Sequence, residues 1–90
     1  MILTVHYSNQ FNKDLRSAAR QGKNIEQINN VIKKLQHSEP LEAKYRDHSL
    51  KGNYMKHREC HIEPDWLLIY RIVGNELIVV RTGSHSELFR

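Results

Sequence analysis

"WLLIYRIVGNELIVVRTG", Trp66 to Gly83, is the stretch whose reading decides the fold. Trp66 to Val73 is nearly continuous in apolar, β-favouring residues, as expected of a central strand covered by helices on one side. Gly74-Asn75 supplies a tight hairpin, and Glu76 to Gly83 is the last strand. Upstream, Glu63-Pro64-Asp65 turns the chain, with proline barring a central strand there. A further strand runs back from that turn, from Ile62 to about Arg58. At the start, "ILTVHY" (Ile2 to Tyr7) alternates, with Leu3, Val5 and Tyr7 on one face. Ser8 or Asn9 caps a helix in which Phe11, Leu15 and Ala18/Ala19 recur at helical spacing, and Gly22 stops it. Asn24 caps a second helix whose Ile25, Ile28, Ile32 and Leu35 form one stripe ending before Pro40. The order β-α-α-β-β-β predicts an α+β fold, an antiparallel sheet with a two-helix hairpin packed on one face. Residues 1–90 are expected to form a single domain.

Composition narrows the function classes. The chain is 39% hydrophobic and 27% charged, a globular balance. No apolar run approaches the ~20 residues of a membrane span, and no basic, small-residue signal peptide opens the chain. One cysteine cannot form an internal disulfide, so a cytoplasmic, reducing setting is expected. The net charge of +4 is uneven. Residues 1–43 carry six basic and four acidic side chains, and residues 59–90 carry three and five. The segment "KYRDHSLKGNYMKHR" (Lys44 to Arg58) carries five basic and one acidic, interleaved with Tyr45, Tyr54, His48 and His57. Basic groups among stackable rings suit a nucleic-acid backbone and its bases, and Lys51, Lys56 and Arg58 are the candidate contacts. A solvated surface is the bland alternative.

The chemistry sits in the second half. His48 lies in the basic segment, His61 and Asp65 flank the first turn, Arg81 ends the last strand, and His85 lies just beyond it. In a meander these positions can share one sheet edge. RNA cleavage by its own 2′-OH needs a base for that hydroxyl, an acid for the leaving 5′-oxygen, and a cation for the phosphoryl charge. Histidines, an aspartate and an arginine supply that set without metal. Each also has a plain reading: surface histidine, solvated strand end, turn aspartate. Trp66 fits core packing as well as base stacking, and Cys60 fits a small buried hydrophobe. The sharper rival is a metal site at His57, Cys60 and His61. Alternation sends Cys60 and His61 to opposite faces, and the familiar zinc spacings are absent, so no metal and no cofactor are expected.

"DHSLKGNY", "RECHIEPDWLLIY" and "RTGSHSELF", in that order after a β-α-α start, resemble the YafQ branch of the RelE-type bacterial toxins. The resemblance covers nearly the whole chain by layout and is most specific over Asp47–Phe89. It implies a RelE-like fold and the toxin of a type II toxin–antitoxin system. Its activity would be ribosome-dependent mRNA cleavage in the A site, within a 16S ribosomal RNA environment. It further implies a cognate antitoxin protein as partner and no membrane association. Carried over position by position, the family's functional residues fall on His48, His61, Asp65, Trp66, Arg81, His85 and Phe89. His85 is then the expected general acid, Asp65 or His48 the base, and Arg81 the phosphoryl-charge stabiliser. His61 orients and takes part in proton transfer, while Trp66 and Phe89 lie against the RNA. Two alternatives remain: a non-catalytic toxin on the RelE/ParE scaffold that binds a protein target, and a plain RNA-binding module.

Overall fold

The computed structural model describes residues 1–89; the last position of the expected domain, Arg90, lies outside the described residues. β1 (Thr4–Tyr7) is followed by α1 (Asn9–Arg20) and α2 (Ile25–Gln36). After a long connection come β2 (His48–Ser49), β3 (Arg58–Glu63), β4 (Trp66–Val73), β5 (Glu76–Gly83) and α3 (His85–Leu88). Single turns of 3₁₀ helix at Ala43–Tyr45 and Gly52–Tyr54 bracket β2. The five strands form one sheet in the order β1-β5-β4-β3-β2.

Local chemistry accounts for the helix ends. Ser8 Oγ accepts the Phe11 amide at 2.9 Å and donates to the Val80 carbonyl at 2.6 Å. That one hydroxyl therefore caps α1 and ties it to β5. α1 buries Phe11 and Ala18; α2 buries Ile28, Val31, Ile32 and Leu35. Both pack on the sheet face that carries Cys60, Ile62, Trp66, Leu68, Tyr70, Leu77 and Val79. Truncating a fully buried residue such as Phe11 to alanine costs about 3–5 kcal/mol.

The expected meander is present. The two-residue turn Pro64-Asp65 joins β3 to β4, with Glu63 opposite Trp66. Gly74, at φ +58°, takes the left-handed position of the β4–β5 turn. Three features correct the expected layout. The sheet is mixed: β1 runs parallel to β5, from Thr4 opposite Glu76 to Tyr7 opposite Val79. No short loop joins these strands, so nothing forces them antiparallel. β2 adds a fifth strand, with His48 opposite Glu59. The tail after Gly83 closes into α3, held by a capping box of Ser84 and Glu87. No helix among the described residues is long and apolar enough to cross a membrane.

The sheet face away from α1 and α2 bears a second, smaller core of Leu67, Ile69 and Leu88. Leu50, Tyr54 and Val80 pack around it. The chemistry-bearing residues gather on this face.

Candidate active site

Alternation along β3 sends Cys60 and Ile62 under the helices and leaves Glu59 and His61 on the second face. β2 places His48 beside Glu59. The turn and α3 bring Asp65 and His85 to the same end of the sheet. Arg81 arrives there through an irregularity. Ile69 faces Arg81, but Tyr70 faces Val79, so Val80 is an extra residue in β5. Leu77 and Val79 belong to the helix side. Strict alternation would put Arg81 there too; the bulge turns it to the face of Ile69.

His61 is central. Its ring centroid lies 6.1 Å from His48 and 5.7 Å from His85. Its Nδ1 lies 3.2 Å from the Pro64 carbonyl, which can only accept, so that nitrogen bears the proton. Its Nε2 faces Glu59 Oε1 at 3.2 Å. His48 is arranged alike: Nδ1 donates to the Arg46 carbonyl at 2.6 Å, and Nε2 stands 3.9 Å from the same Glu59 oxygen. Glu59 is only 3% exposed, a buried carboxylate between two imidazoles. It is the functional candidate that strand patterning hid, because a glutamate in a β-strand ordinarily marks a solvated face. The cue is its i, i+2 spacing to His61.

Asp65 orients His85. Its Oδ1 accepts both the His85 amide and His85 Nδ1, each at 3.0 Å. The backbone N–H, then the imidazole, hold the Asp65 carboxyl below its ordinary range. A carboxylate so held is a poor proton acceptor, and the bond through Nδ1 turns His85 Nε2 outward from Asp65. Arg81 is gripped by Asp14 through Nε at 3.0 Å and Nη2 at 3.1 Å, with Tyr54 close to the guanidinium. The Asp14 hydrogen bonds, above all, raise its pKa further.

The other expected contacts divide. Phe89 is 41% exposed, edge-on to Tyr54 and beside His85. Lys51 and Lys56 are exposed on the loop that covers the second face. Trp66 is corrected to a core residue: it has no exposed surface and lies on the helix side, with Lys23 5.6 Å above its ring. Base stacking is closed to it there. Arg58 is partly exposed but already has partners. It faces Tyr70 in register and is engaged by Asp47 at 3.3 Å and Ser49 at 3.0 Å. The Tyr70 hydroxyl meets that same Asp47 oxygen at 2.5 Å, so Arg58 braces β2.

The His57/Cys60/His61 metal grouping is not assembled, since Cys60 is fully buried under the helices, where desolvation drives its thiol pKa up. A different trio is. The nitrogen and oxygen donors of His48, Glu59 and His61 lie within 4.8 Å of one another. Two imidazoles and a carboxylate suit a borderline transition ion such as copper, nickel or zinc.

Comparison with known proteins gives the family. Residues 3–90 match the family described as the bacterial toxin of a type II toxin–antitoxin system, YafQ. The mRNA interferase toxin YafQ of Escherichia coli K12 is 37% identical over 86 residues, covering 94% of each chain. A copper-bound mutant toxin from Helicobacter pylori superposes with a TM-score of 0.93 at 42% identity, covering 98% of this chain and all of that one. The toxin–antitoxin complex DinJ–YafQ of Escherichia coli gives a TM-score of 0.91 at 35% identity over the full length of both chains.

Proposed function

The chain belongs to the YafQ family of type II toxin–antitoxin toxins, and from that membership we propose how its site cleaves messenger RNA. The toxin is an mRNA interferase neutralised by a cognate antitoxin. It acts on ribosome-bound message in the A site, in the cytoplasm. The observation that carries the chemistry is the row His48–His61–His85, with Asp65 behind His85 and Arg81 on the same face.

In-line displacement needs a base and an acid on opposite sides of the phosphorus. The two ends of the imidazole row supply them. His48 Nε2 takes the 2′-hydroxyl proton, and the 2′-oxygen bonds to phosphorus. The bond from phosphorus to the 5′-oxygen breaks, and His85 Nε2 protonates that oxygen. A 2′,3′-cyclic phosphate and a 5′-hydroxyl end result. Of the two base candidates, Asp65 is set aside by its depressed pKa and its two bonds to His85. His61, between the two, has Nδ1 on the Pro64 carbonyl and Nε2 facing Glu59, so it orients the row, and Arg81 meets the charge that builds on phosphorus. No metal takes part in these steps. His48, Glu59 and His61 would hold a transition ion where one binds, and the ion would then occupy nitrogens that the proton transfer needs.

The test is induced expression with mapping of RNA 5′ ends, wild type against His85→Ala. Cleavage and growth arrest should vanish in the variant. Its melting temperature should hold, because His85 is exposed on a terminal turn. Full cleavage by the variant would remove His85 from the mechanism.

A further inference from the structure

We propose that Asp14, on α1, is a positioning residue for cleavage: it holds the Arg81 guanidinium so that its free edge meets the phosphoryl group. This rests on the assignment of Arg81 to phosphate made above.

Asp14 lies far from the site in sequence. Its side chain is 10% exposed, and its two oxygens take four hydrogen bonds. Arg81 gives two, Nε to Oδ2 at 3.0 Å and Nη2 to Oδ1 at 3.1 Å. Thr82 N–H reaches Oδ2 at 3.2 Å, and Gln10 Nε2 reaches Oδ1 at 3.0 Å. The Thr82 bond fixes the carboxylate against the edge of β5, past the last residue of β1, Tyr7, which pairs with Val79. Two parallel N–H···O bonds define the plane of a guanidinium, not merely its position. Of the five guanidinium N–H groups, Asp14 takes one on Nε and one on Nη2 and the Tyr54 hydroxyl stands at a third, so two are left for another anion. Glu59, Ile69 and Arg81 are successive register partners, so Arg81 leaves β5 toward the face of the histidines, and Tyr54 of that face stands at its guanidinium. An arginine left free would order its long side chain only as charge develops on phosphorus. Here the ordering precedes substrate, and preorganised donors serve a transition state best.

An ion pair that merely stapled α1 to β5 would lose stability and activity together, and that separates the two roles. The variants are Asp14→Asn, Asp14→Glu, Arg81→Ala and the double variant Asp14→Asn/Arg81→Ala. Each is assayed by single-turnover cleavage of ribosome-bound message across toxin concentrations, and by thermal melting. Asp14→Asn should slow the saturated rate by about 10–100-fold, the usual cost of an orienting outer partner. The half-saturating toxin concentration should barely move, and Asp14→Glu should recover part of the rate. In the Arg81→Ala background, Asp14→Asn should add nothing. Wild-type cleavage by Asp14→Asn beside a defective Arg81→Ala overturns the proposal alone. So does a loss that merely follows the unfolded fraction. Wild-type cleavage by Arg81→Ala would instead sink the underlying assignment of Arg81, and the proposal with it.

Discussion

Glu59 shows how one side chain can serve two chemistries. A carboxylate this buried is costly unless its oxygens meet polar partners, and one of them faces His61 Nε2 at 3.2 Å and His48 Nε2 at 3.9 Å. The same Nε2 atoms that would move protons are the ones a metal would seize. Stoichiometric copper or zinc should therefore inhibit cleavage, and a chelator should restore it with ribosomal magnesium retained. Glu59→Gln should weaken metal binding by calorimetry and also slow cleavage; a metal that bound there and left the rate untouched would separate the trio from the site. Asp65 gives a pH test. Its folded pKa is depressed, so its bonds to His85 hold α3 above the ordinary carboxylate value of about 3.9 and loosen as pH falls through the lower folded value, a local effect that solvent screening keeps out of global melting. The carboxyl carbon should titrate below about 3.9 by NMR. In His85→Ala the midpoint should rise only partway, since the amide bond survives. At this scale the sequence was legible where a residue's chemistry is unusual for its place, as with His61, Asp65 and His85. It was not legible where charge or ring type was taken for exposure. Trp66 was misplaced because residue type does not tell which sheet face a strand position takes, and the Asp47 and Ser49 partners of Arg58 leave no local mark either.

At the scale of elements, the long periodic pieces were readable: both helices, the three-strand meander and its two turns. β2 was not, since two residues make no period, and the parallel pairing of β1 leaves no local mark. The bulge at Val80 was equally silent, yet it aims Arg81. α3 was read only as a tail, although "SHSE" carries a capping box that could have signalled it. That short helix yields a prediction. Its first residue is His85, and its cap is Ser84. A Cβ added at Gly83 would stand 3.1 Å from Glu87 Oε1 and 3.3 Å from Leu88 Cδ2. Ser84→Ala should cost the turn about 0.5–2 kcal/mol, and Gly83→Ala should press it outward. Both should lower cleavage while global melting changes little, with faster amide exchange confined to residues 84–89. Cleavage unchanged with α3 frayed would mean that Asp65 alone suffices to place His85.

The whole molecule separates docking from chemistry. The catalytic row sits at one end of the second face, while Lys51 and Lys56 are exposed on the loop that covers it. Lys44 to Arg58 holds an excess of four positive charges, equal to that of the entire chain, but Arg58 is spent on Asp47. A ribosomal A site is walled by RNA phosphates, so a protein entering it must neutralise some of them. Replacing Lys51 and Lys56 with alanine should therefore weaken ribosome association. It should also flatten the logarithmic salt dependence by about 0.7–0.9 for each phosphate left without its lysine. Arg58→Ala should act differently. It should lower melting by loosening β2, with little change in the salt slope. The single-turnover rate of the bound lysine variant should fall far less than that of His85→Ala. A remote charge interaction supports ground and transition states about equally. The measurement is ribosome binding across a salt series, paired with cleavage at saturating toxin. A lysine pair that binds normally but cleaves poorly once bound would move these residues into the active site, and the division between docking loop and catalytic row would fail.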